Sequence, residues 1–230
     1  MFQSQSEDVR TLPKSSKISQ ALRAIQPSAI GTAETENVAE PEVIIRPILG
    51  EHELDRVYQL TYDAYVERGY CEEHPSRRLI HYPHLDRIPE TTVLVAVVDG
   101  KIVGTNSWTL DGPNGLHVDK DFHAETRVVR SEGRRLAASW RIATSSCFRA
   151  ERKVVMALIQ QTCQGIVAAN VDTSIFTFNP RHERIYQRLL NMKTIATSAG
   201  TNGLRNAPAV LMRLDLKDLP ERWLQPMSVG

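Results

Sequence analysis

Apolar positions along the chain follow two different periods, and the change of period marks the first two elements. A β-branched run over residues 43–45 predicts a strand that starts at Glu42 and ends near Pro47. Downstream, apolar residues recur at the spacing of an amphipathic helix with one buried side. This helix ends near Gly69, and its buried face carries Leu54, Val57, Tyr58, Thr61 and Tyr65.

A β-hairpin is the clearest local signal in the sequence. Residues 92–98 form a nearly continuous apolar run, and residues 101–110 resume the same β-type pattern. Asp99-Gly100 between them is a favoured pair for a two-residue turn, because that turn needs positive φ angles. Before the hairpin, residues 70–89 have no clear period and contain three prolines, which predicts a long irregular excursion.

The second half of the chain alternates strand and helix patterns. The predicted strands cover residues 135–142, 174–178, 193–197 and 209–216. The predicted helices cover residues 119–129, 150–169 and 180–190. Asn179-Pro180 supplies an N-cap followed by proline at the first helical position. The order of elements predicts an α/β (α+β) fold, in which a mixed sheet carries helices on both faces.

Residues 1–41 differ in composition from the rest of the chain. They are rich in Ser, Gln, Glu, Ala and Pro and poor in aromatic residues, so they bury too little apolar surface to offset the entropy of ordering. We predict a disordered N-terminal arm over 1–41 and one domain over 42–230. The hydrophobic fraction of 41% is sufficient for a single core of ordinary size.

Charge and cysteine content exclude several classes of function. The formal net charge is +1, so the molecule as a whole has no field that would attract nucleic acid or an anionic membrane. Cys71, Cys147 and Cys163 have neither disulfide-framework nor zinc spacing. The histidines at 74, 81 and 84 lack companion ligands, so we expect no metal. No signal-peptide core or bilayer-spanning stretch is visible, which predicts a cytoplasmic protein.

Three segments carry motifs that can be compared with known families. Residues 57–70 are VYQLTYDAYVERGY, residues 132–137 are EGRRLA, and residues 179–190 are NPRHERIYQRLL. In this order they resemble motifs of the long-chain N-acyl amino acid synthases, which are GNAT-like acyltransferases that use acyl carrier protein and are related to acyl-homoserine lactone synthases. Thr61 stands where that family usually has arginine, and Asn191-Met192 replaces its closing Gly-Phe.

The resemblance implies a GNAT-like fold with a mostly antiparallel, twisted sheet, and it implies roles for individual residues. Glu132 would accept the amine proton, Arg135 would orient Glu132 or bind a substrate carboxylate, and Tyr186 would donate its hydroxyl to the departing thiolate. The acyl donor would contact Ala137, Ala138, Ser139, Trp140, Arg141, Arg149, Asn179 and His182. The acceptor amino acid would contact Tyr62 and Tyr65. Structural roles remain the alternative: an ion pair for Glu132, capping or packing for His182, and core packing for the tyrosines.

Two features favour a donor carried on the phosphopantetheine of acyl carrier protein, with CoA as the alternative. Residues 144–150 contain no glycine, whereas acetyl-CoA enzymes of the GNAT superfamily have a glycine-containing loop there that approaches the pyrophosphate closely. Seven basic and two acidic residues lie between Arg130 and Lys153. This strip would suit an acidic carrier protein, and a solvated charged face is the alternative.

The combined expectation is an N-acyltransferase that moves a medium- or long-chain acyl group from acyl carrier protein to the α-amine of an amino acid. Cys147 and Cys163 have no evident base partner, which favours direct attack over an acyl-enzyme. Three alternatives remain open: an acyl-homoserine lactone synthase-like enzyme, an acetyl-CoA-dependent N-acetyltransferase, and a non-catalytic domain that binds an acyl ligand.

Overall fold

The computed structural model of the protein describes residues 42–146, 148, 151–201 and 207–225. The predicted arm over 1–41 lies outside the described residues. The strands are β1 (Ile44–Pro47), β2 (Thr91–Val98), β3 (Lys101–Leu110), β4 (Leu136–Thr144), β5 (Thr173–Phe178), β6 (Lys193–Ser198) and β7 (Ala209–Asp215). The α-helices are α1 (Glu51–Glu67), α2 (His123–Ser131), α3 (Glu151–Ala168) and α4 (Glu183–Leu190).

The order of strands and helices agrees with the order predicted from periodicity, and the hairpin turn is confirmed. Asp99 and Gly100 have φ angles of 48° and 72°, the positive values that a tight turn between β2 and β3 requires. One predicted helix is divided. The segment predicted as 119–129 forms a 3-10 turn, His117–Lys120, and then α2, because Phe122 between them has a non-helical φ of −134°.

The seven strands form one sheet in the order β1-β2-β3-β4-β5-β7-β6. Only β4 and β5 pair in parallel, and the remaining neighbours are antiparallel. A parallel pair needs a crossover connection, which α3 provides between β4 and β5. The described sheet is therefore mixed and mostly antiparallel.

Helices cover both faces of this sheet, and the alternation of side chains along β2 shows which helix covers which face. Val93 and Val95 pack against α1, whereas Leu94 and Ala96 pack in the cluster that contains α3 residues. Alternate strand residues point to opposite faces. The helix α4 shares the α3 face, and α2 shares the α1 face. Burial of each such large apolar side chain contributes about 1.5–3 kcal/mol.

The parallel strands β4 and β5 separate halfway along their length. They pair from Leu136 with Thr173 to Ser139 with Phe176. Beyond that point β4 continues against β3, and β5 continues against β7. A gap therefore opens within the sheet between two strands that are each held firmly on their other side. Within the described ranges, no helix has the length and apolar character needed to cross a membrane.

Candidate active site

A cavity of about 150 Å³ occupies the gap between β4 and β5. Its strand walls are Ser139, Trp140, Arg141 and Ile142 of β4 and Phe176, Thr177 and Phe178 of β5. Helices and loops from both faces of the sheet complete the lining. The cavity therefore reaches both faces at the one place where the central strands are apart.

The two faces line the cavity with different chemistry. On the α3 side the lining is largely apolar and includes Ile142, Ile159, Cys163, Phe178 and Leu190. On the α1 side it is aromatic and polar and includes Tyr65, Tyr82, His117, Asp121 and Arg141. An apolar group and a polar group can thus meet from opposite sides within one cavity.

A β-bulge in β4 places Trp140 and Arg141 on the same face of the sheet. One β3 residue, Asn106, faces two β4 residues at this point, and Arg141 has a φ of 61° in the left-handed region. The Trp140 ring contacts Tyr82, with 5.3 Å between centroids, and the Arg141 guanidinium carbon lies 4.2 Å from the Trp140 centroid. Successive residues of a regular strand would point to opposite faces. The bulge thus brings the guanidinium into the polar part of the cavity.

The Arg141 side chain forms a buried ion pair with Asp86 of the irregular excursion. The two side chains are 2% and 0% exposed. The other Asp86 oxygen accepts a hydrogen bond from the Tyr58 hydroxyl at 2.8 Å. Burial, together with this bond, raises the pKa of Tyr58 to about 12, so the hydroxyl keeps its proton. Among the described residues, Nε and Nη1 of Arg141 find no hydrogen-bond partner.

His117 lies beside the same indole ring. It is 4% exposed, it lines the cavity, and its ring lies 6.0 Å from the Trp140 ring. Its Nε2 is 3.3 Å from Oγ1 of Thr177, and its Nδ1 has no hydrogen-bond partner in the described part of the chain. Burial lowers the pKa of His117 to about 3, with help from His81 and against the effect of Asp119. His117 is therefore a neutral imidazole at physiological pH.

Polar contacts fix the opposite wall of the cavity. The Asn106 amide donates to Ser139 Oγ at 3.1 Å and to Thr162 Oγ1 at 2.7 Å. These bonds link β3, β4 and α3 at the position of the bulge. Because buried polar groups that are satisfied in this way resist displacement, the network holds the bulge in place.

Two other titratable side chains of the cavity keep their protons. The Tyr186 ring stacks on Phe178 with 3.7 Å between centroids, and burial raises the pKa of Tyr186. Burial also raises the pKa of Cys163 to about 12. A thiol with so high a pKa is a poor nucleophile, because the reactive form is the thiolate. In the described part of the chain, no three His, Cys, Asp or Glu side chains form a group that could hold a metal ion.

The structure brings some of the predicted site residues to the cavity and leaves others outside it. The cavity is lined by Tyr65, Ser139, Trp140, Arg141, Asn179 and Tyr186. The residues outside the lining are Tyr62, Glu132, Arg135, Ala137, Ala138 and His182. Arg149 lies outside the described residues. Asn179 also caps the following turn, since its side chain accepts a hydrogen bond from the Arg181 N–H.

The four smaller or aromatic residues outside the cavity have structural contacts. Ala137 and Ala138 are fully buried in core clusters on opposite faces of the sheet. The Tyr62 hydroxyl accepts a hydrogen bond from the His74 N–H at 2.7 Å. The His182 ring accepts a bond from the guanidinium of the preceding arginine, and its pKa is lowered to about 4, chiefly by burial. These contacts concern the side chains, and contact of the Ala137 and Ala138 backbone with the acyl donor stays a prediction.

Glu132 and Arg135 lie near the end of β4 that is away from the cavity. Glu132 pairs with Arg213, whose Nη2 is 2.7 Å from Oε2, and this guanidinium lowers the pKa of the Glu132 carboxyl. The Arg135 side chain is exposed. Arg135 lies four positions before Ser139, which is about 13 Å along an extended chain. Neither side chain lines the cavity, and proton transfer through Glu132 stays a prediction.

The basic strip between residues 130 and 153 is not one continuous patch. Arg130 binds two carboxylates, Asp111 and Asp119, each at 2.7 Å. Arg141 is buried, and Arg134 lies 3.3 Å from Asp215. Neighbouring acids therefore neutralise part of the charge that the sequence places in the strip.

Sequence reasoning missed three side chains that the fold brings together. The sequence predicts only a place on a helix face for Tyr58. Asp86 belongs to the segment 70–89, which has no hydrophobic period, and His117 belongs to the predicted loop before residue 119. Arg141 was assigned to the acyl donor rather than to the polar side of the cavity. No motif surrounds Asp86 or His117, and their positions beside the cavity become visible only through contacts with residues that are distant in sequence.

Several solved structures share the fold of this protein. The N-acyl amino acid synthase FeeM from uncultured soil microbes aligns with a TM-score of 0.68 at 21% identity, over 77% of this chain and 93% of that chain. The CoA-dependent acyl-homoserine lactone synthase BjaI aligns with 0.59 at 14%, over 80% and 86%. An acyl-CoA N-acyltransferase from Pseudomonas aeruginosa aligns with 0.52 at 17%, over 75% and 99%. The predicted GNAT-like acyltransferase fold is confirmed.

The sequence itself identifies the family within that class. The sequence model of the N-acyl amino acid synthase FeeM family matches residues 56–215. The chain therefore belongs to this family and is an acyltransferase, as the three motifs predicted. No curated protein matches the chain.

Proposed function

We propose that the protein transfers a medium- or long-chain acyl group from acyl carrier protein to the α-amine of an amino acid, and so forms an N-acyl amino acid. The observation that carries this proposal is the gap between β4 and β5. The cavity there has a largely apolar wall on the α3 side, interrupted by Asn106, Ser139 and Thr162, and an aromatic and polar wall on the α1 side. An acyl thioester and a polar amine can meet in such a cavity. Membership of the synthase family supports the same reaction.

The edge of β4 that faces the gap supports binding of a thioester on a phosphopantetheine arm. Beyond Ser139, the described part of β4 pairs with β3 only, which leaves main-chain groups on the gap side without a strand partner. An extended amide chain binds such an edge by hydrogen bonding in the manner of an added strand. A backbone N–H directed at the thioester oxygen would stabilise the negative charge that develops during attack.

His117 is the group that we assign to the amine proton, in place of Glu132. Attack by the amine forms the C–N bond and leaves a proton on a nitrogen that is far more acidic than a free ammonium. His117 lines the cavity and has an unpartnered Nδ1, so it offers a nitrogen lone pair for this proton. Collapse of the intermediate then breaks the C–S bond, and the thiolate takes a proton from solvent.

Tyr186 is assigned to the departing sulfur. Its raised pKa keeps the phenol protonated, so it can donate a hydrogen bond to the thiolate as the C–S bond breaks. Its ring is held by stacking on Phe178, which limits the positions of the hydroxyl. Among the described residues that line the cavity, Cys163 is the cysteine. Its raised pKa disfavours the thiolate, which supports direct transfer without an acyl-enzyme.

CoA is the second candidate for the donor. The ion pairs within the basic strip weaken the argument for docking of an acidic carrier protein at that strip. The solved relative BjaI is itself CoA-dependent. The same cavity would receive the pantetheine of either donor, so the donor is decided by assay.

The proposal is tested by expressing the chain in bacteria and analysing organic extracts by mass spectrometry for N-acyl amino acids. The His117→Gln variant and an empty vector serve as comparisons. Purified protein is then assayed with the same acyl chain on acyl carrier protein and on CoA, with amino acids or S-adenosylmethionine as acceptor. New N-acyl amino acids that are lost in His117→Gln support the proposal. Transfer to S-adenosylmethionine, or no product above the empty vector, contradicts it.

A further inference from the structure

We propose that Arg141 binds the carboxylate of the acceptor and thereby makes the enzyme select amino acids over amines that lack this group. The inference rests on the proposed function in one respect, that the acceptor enters the polar side of the cavity. It adds a specificity site at a residue that the sequence assigned to the acyl donor.

The first observation behind this inference is that Arg141 is buried with some of its hydrogen-bond donors unpaired. Its side chain is 2% exposed, yet it lines the cavity, and its Nε and Nη1 have no hydrogen-bond partner among the described residues. Buried polar groups in proteins are nearly always hydrogen-bonded, because an unpaired buried donor is costly. Unpaired donors on a side chain that lines a cavity point to a ligand that completes their hydrogen bonds. A guanidinium selects carboxylates and phosphates, and an amino acid carries a carboxylate beside its amine.

The surroundings of Arg141 fix the guanidinium in position. Asp86 accepts a hydrogen bond from Nη2 only, and its second oxygen is occupied by the Tyr58 hydroxyl. The indole of Trp140 lies against the guanidinium at 4.2 Å. Asp86, Tyr58 and Trp140 are therefore positioning residues, and they leave the remaining N–H groups of Arg141 for a ligand. A guanidinium held in this way binds an anion with little loss of conformational freedom.

The second observation is that Arg141 and His117 lie beside the same aromatic ring. Arg141 and His117 both contact the Trp140 ring, the first at 4.2 Å and the second with 6.0 Å between ring centroids. An α-amino acid has one carbon between its carboxylate and its amine. A carboxylate on Arg141 would hold the amine on the polar side of the cavity, which His117 also lines.

The test compares acceptors that share a side chain and differ at the carboxylate. Purified full-length protein is assayed with phenylalanine, phenylalaninamide and phenethylamine, and with leucine, leucinamide and isoamylamine. The donor in every assay is dodecanoyl-acyl carrier protein, with dodecanoyl-CoA in parallel. We expect kcat/KM for the acids to exceed that for the amides and amines by on the order of 100-fold. The amides hold more neutral amine than the acids at a given pH, so amine basicity cannot produce this preference.

Variants assign the preference to Arg141. Arg141→Gln alone leaves Asp86 buried without its partner, so the double variant Arg141→Gln with Asp86→Asn is the main test, and circular dichroism and thermal unfolding establish that it is folded. We expect the double variant to lose the preference for acids, with the ratio of kcat/KM for phenylalanine to that for phenethylamine falling by on the order of 100-fold. Arg141→Lys should retain part of the preference, because it keeps the charge without the planar fork.

The outcomes separate this inference from the proposed function. Wild-type protein that acylates phenylalanine, phenylalaninamide and phenethylamine equally well would overturn the carboxylate site and leave N-acyl transfer intact. A folded double variant that still prefers acids would also overturn it. Wild-type protein that acylates none of the six compounds with either donor would overturn the proposed function, and the inference with it.

Discussion

Trp140 and Arg141 are consecutive residues of β4, and their side chains lie on the same face of the sheet, with the guanidinium carbon 4.2 Å from the indole centroid. The bulge opposite Asn106 causes this arrangement. The Arg141 guanidinium and the Trp140 ring therefore both lie at the polar side of the gap between β4 and β5. The neutral His117 lies beside the same Trp140 ring. Four predictions follow from this geometry and its surroundings.

The ion pair between Arg141 and Asp86 should be strongly coupled in stability. Arg141→Met leaves the buried Asp86 carboxylate unpaired and should lower the free energy of unfolding by about 3–5 kcal/mol. Asp86→Leu leaves the buried Arg141 guanidinium unpaired and should lower it by a similar amount. The double variant should lose much less than the two single losses combined. Urea unfolding at pH 7 measures all three. Arg87→Met is the matched control, since the pair of Arg87 with Glu51 is exposed and its loss should have little effect. Additive losses in the double variant would contradict the prediction.

His117 should make the protein less stable in acid. The pKa of His117 is lowered to about 3 in the fold, so between about pH 6.5 and 3 the unfolded chain binds a proton that the folded chain does not. Stability should then fall with decreasing pH by about 1.4 kcal/mol per unit from this residue alone. Urea unfolding at pH 7, 6 and 5 should show a shallower decline for His117→Gln than for wild type. His182 changes in the same direction but is present in both proteins. Equal slopes would contradict the burial of a neutral His117.

Glu132 and His117 should differ in their effect on turnover. His117→Gln removes the proposed proton acceptor and should lower kcat by about 100- to 10,000-fold. Glu132→Ala breaks the ion pair with Arg213 outside the cavity and should leave kcat near that of wild type. Steady-state assays with the same donor and acceptor compare the two variants. A large loss of kcat in a folded Glu132→Ala protein would restore the role expected from the motif.

Cys163 should not carry an acyl group. Cys163→Ser keeps nearly the same size and should reduce the rate by less than about tenfold, because a buried thiol of raised pKa is not a nucleophile. Intact-protein mass spectrometry of wild type with donor and no acceptor should find no acylated enzyme. An acyl adduct that is absent from Cys163→Ser would instead establish a covalent route.

The sequence predicted the elements well because their signals are local. The Asp99-Gly100 turn, the stripe of α1 and the cap at Asn179 each depend on residues within a few positions of one another. The motifs over 57–70, 132–137 and 179–190 identified the family for the same reason. The position of Glu132 relative to the cavity could not be predicted in this way, because its ion pair with Arg213 joins residues that are 81 positions apart.

The sequence by itself thus determined the order of strands and helices, the mixed sheet and the family, since periodicity and short motifs encode them directly. The tertiary structure alone decided which side chains meet in the gap. A single bulge reverses the direction of Arg141, and it then pairs with Asp86, 55 positions away. His117 meets Thr177 across 60 positions. Neither contact has a local signature, because each is produced by the packing of the excursion and the loop after β3 against the separated ends of β4 and β5.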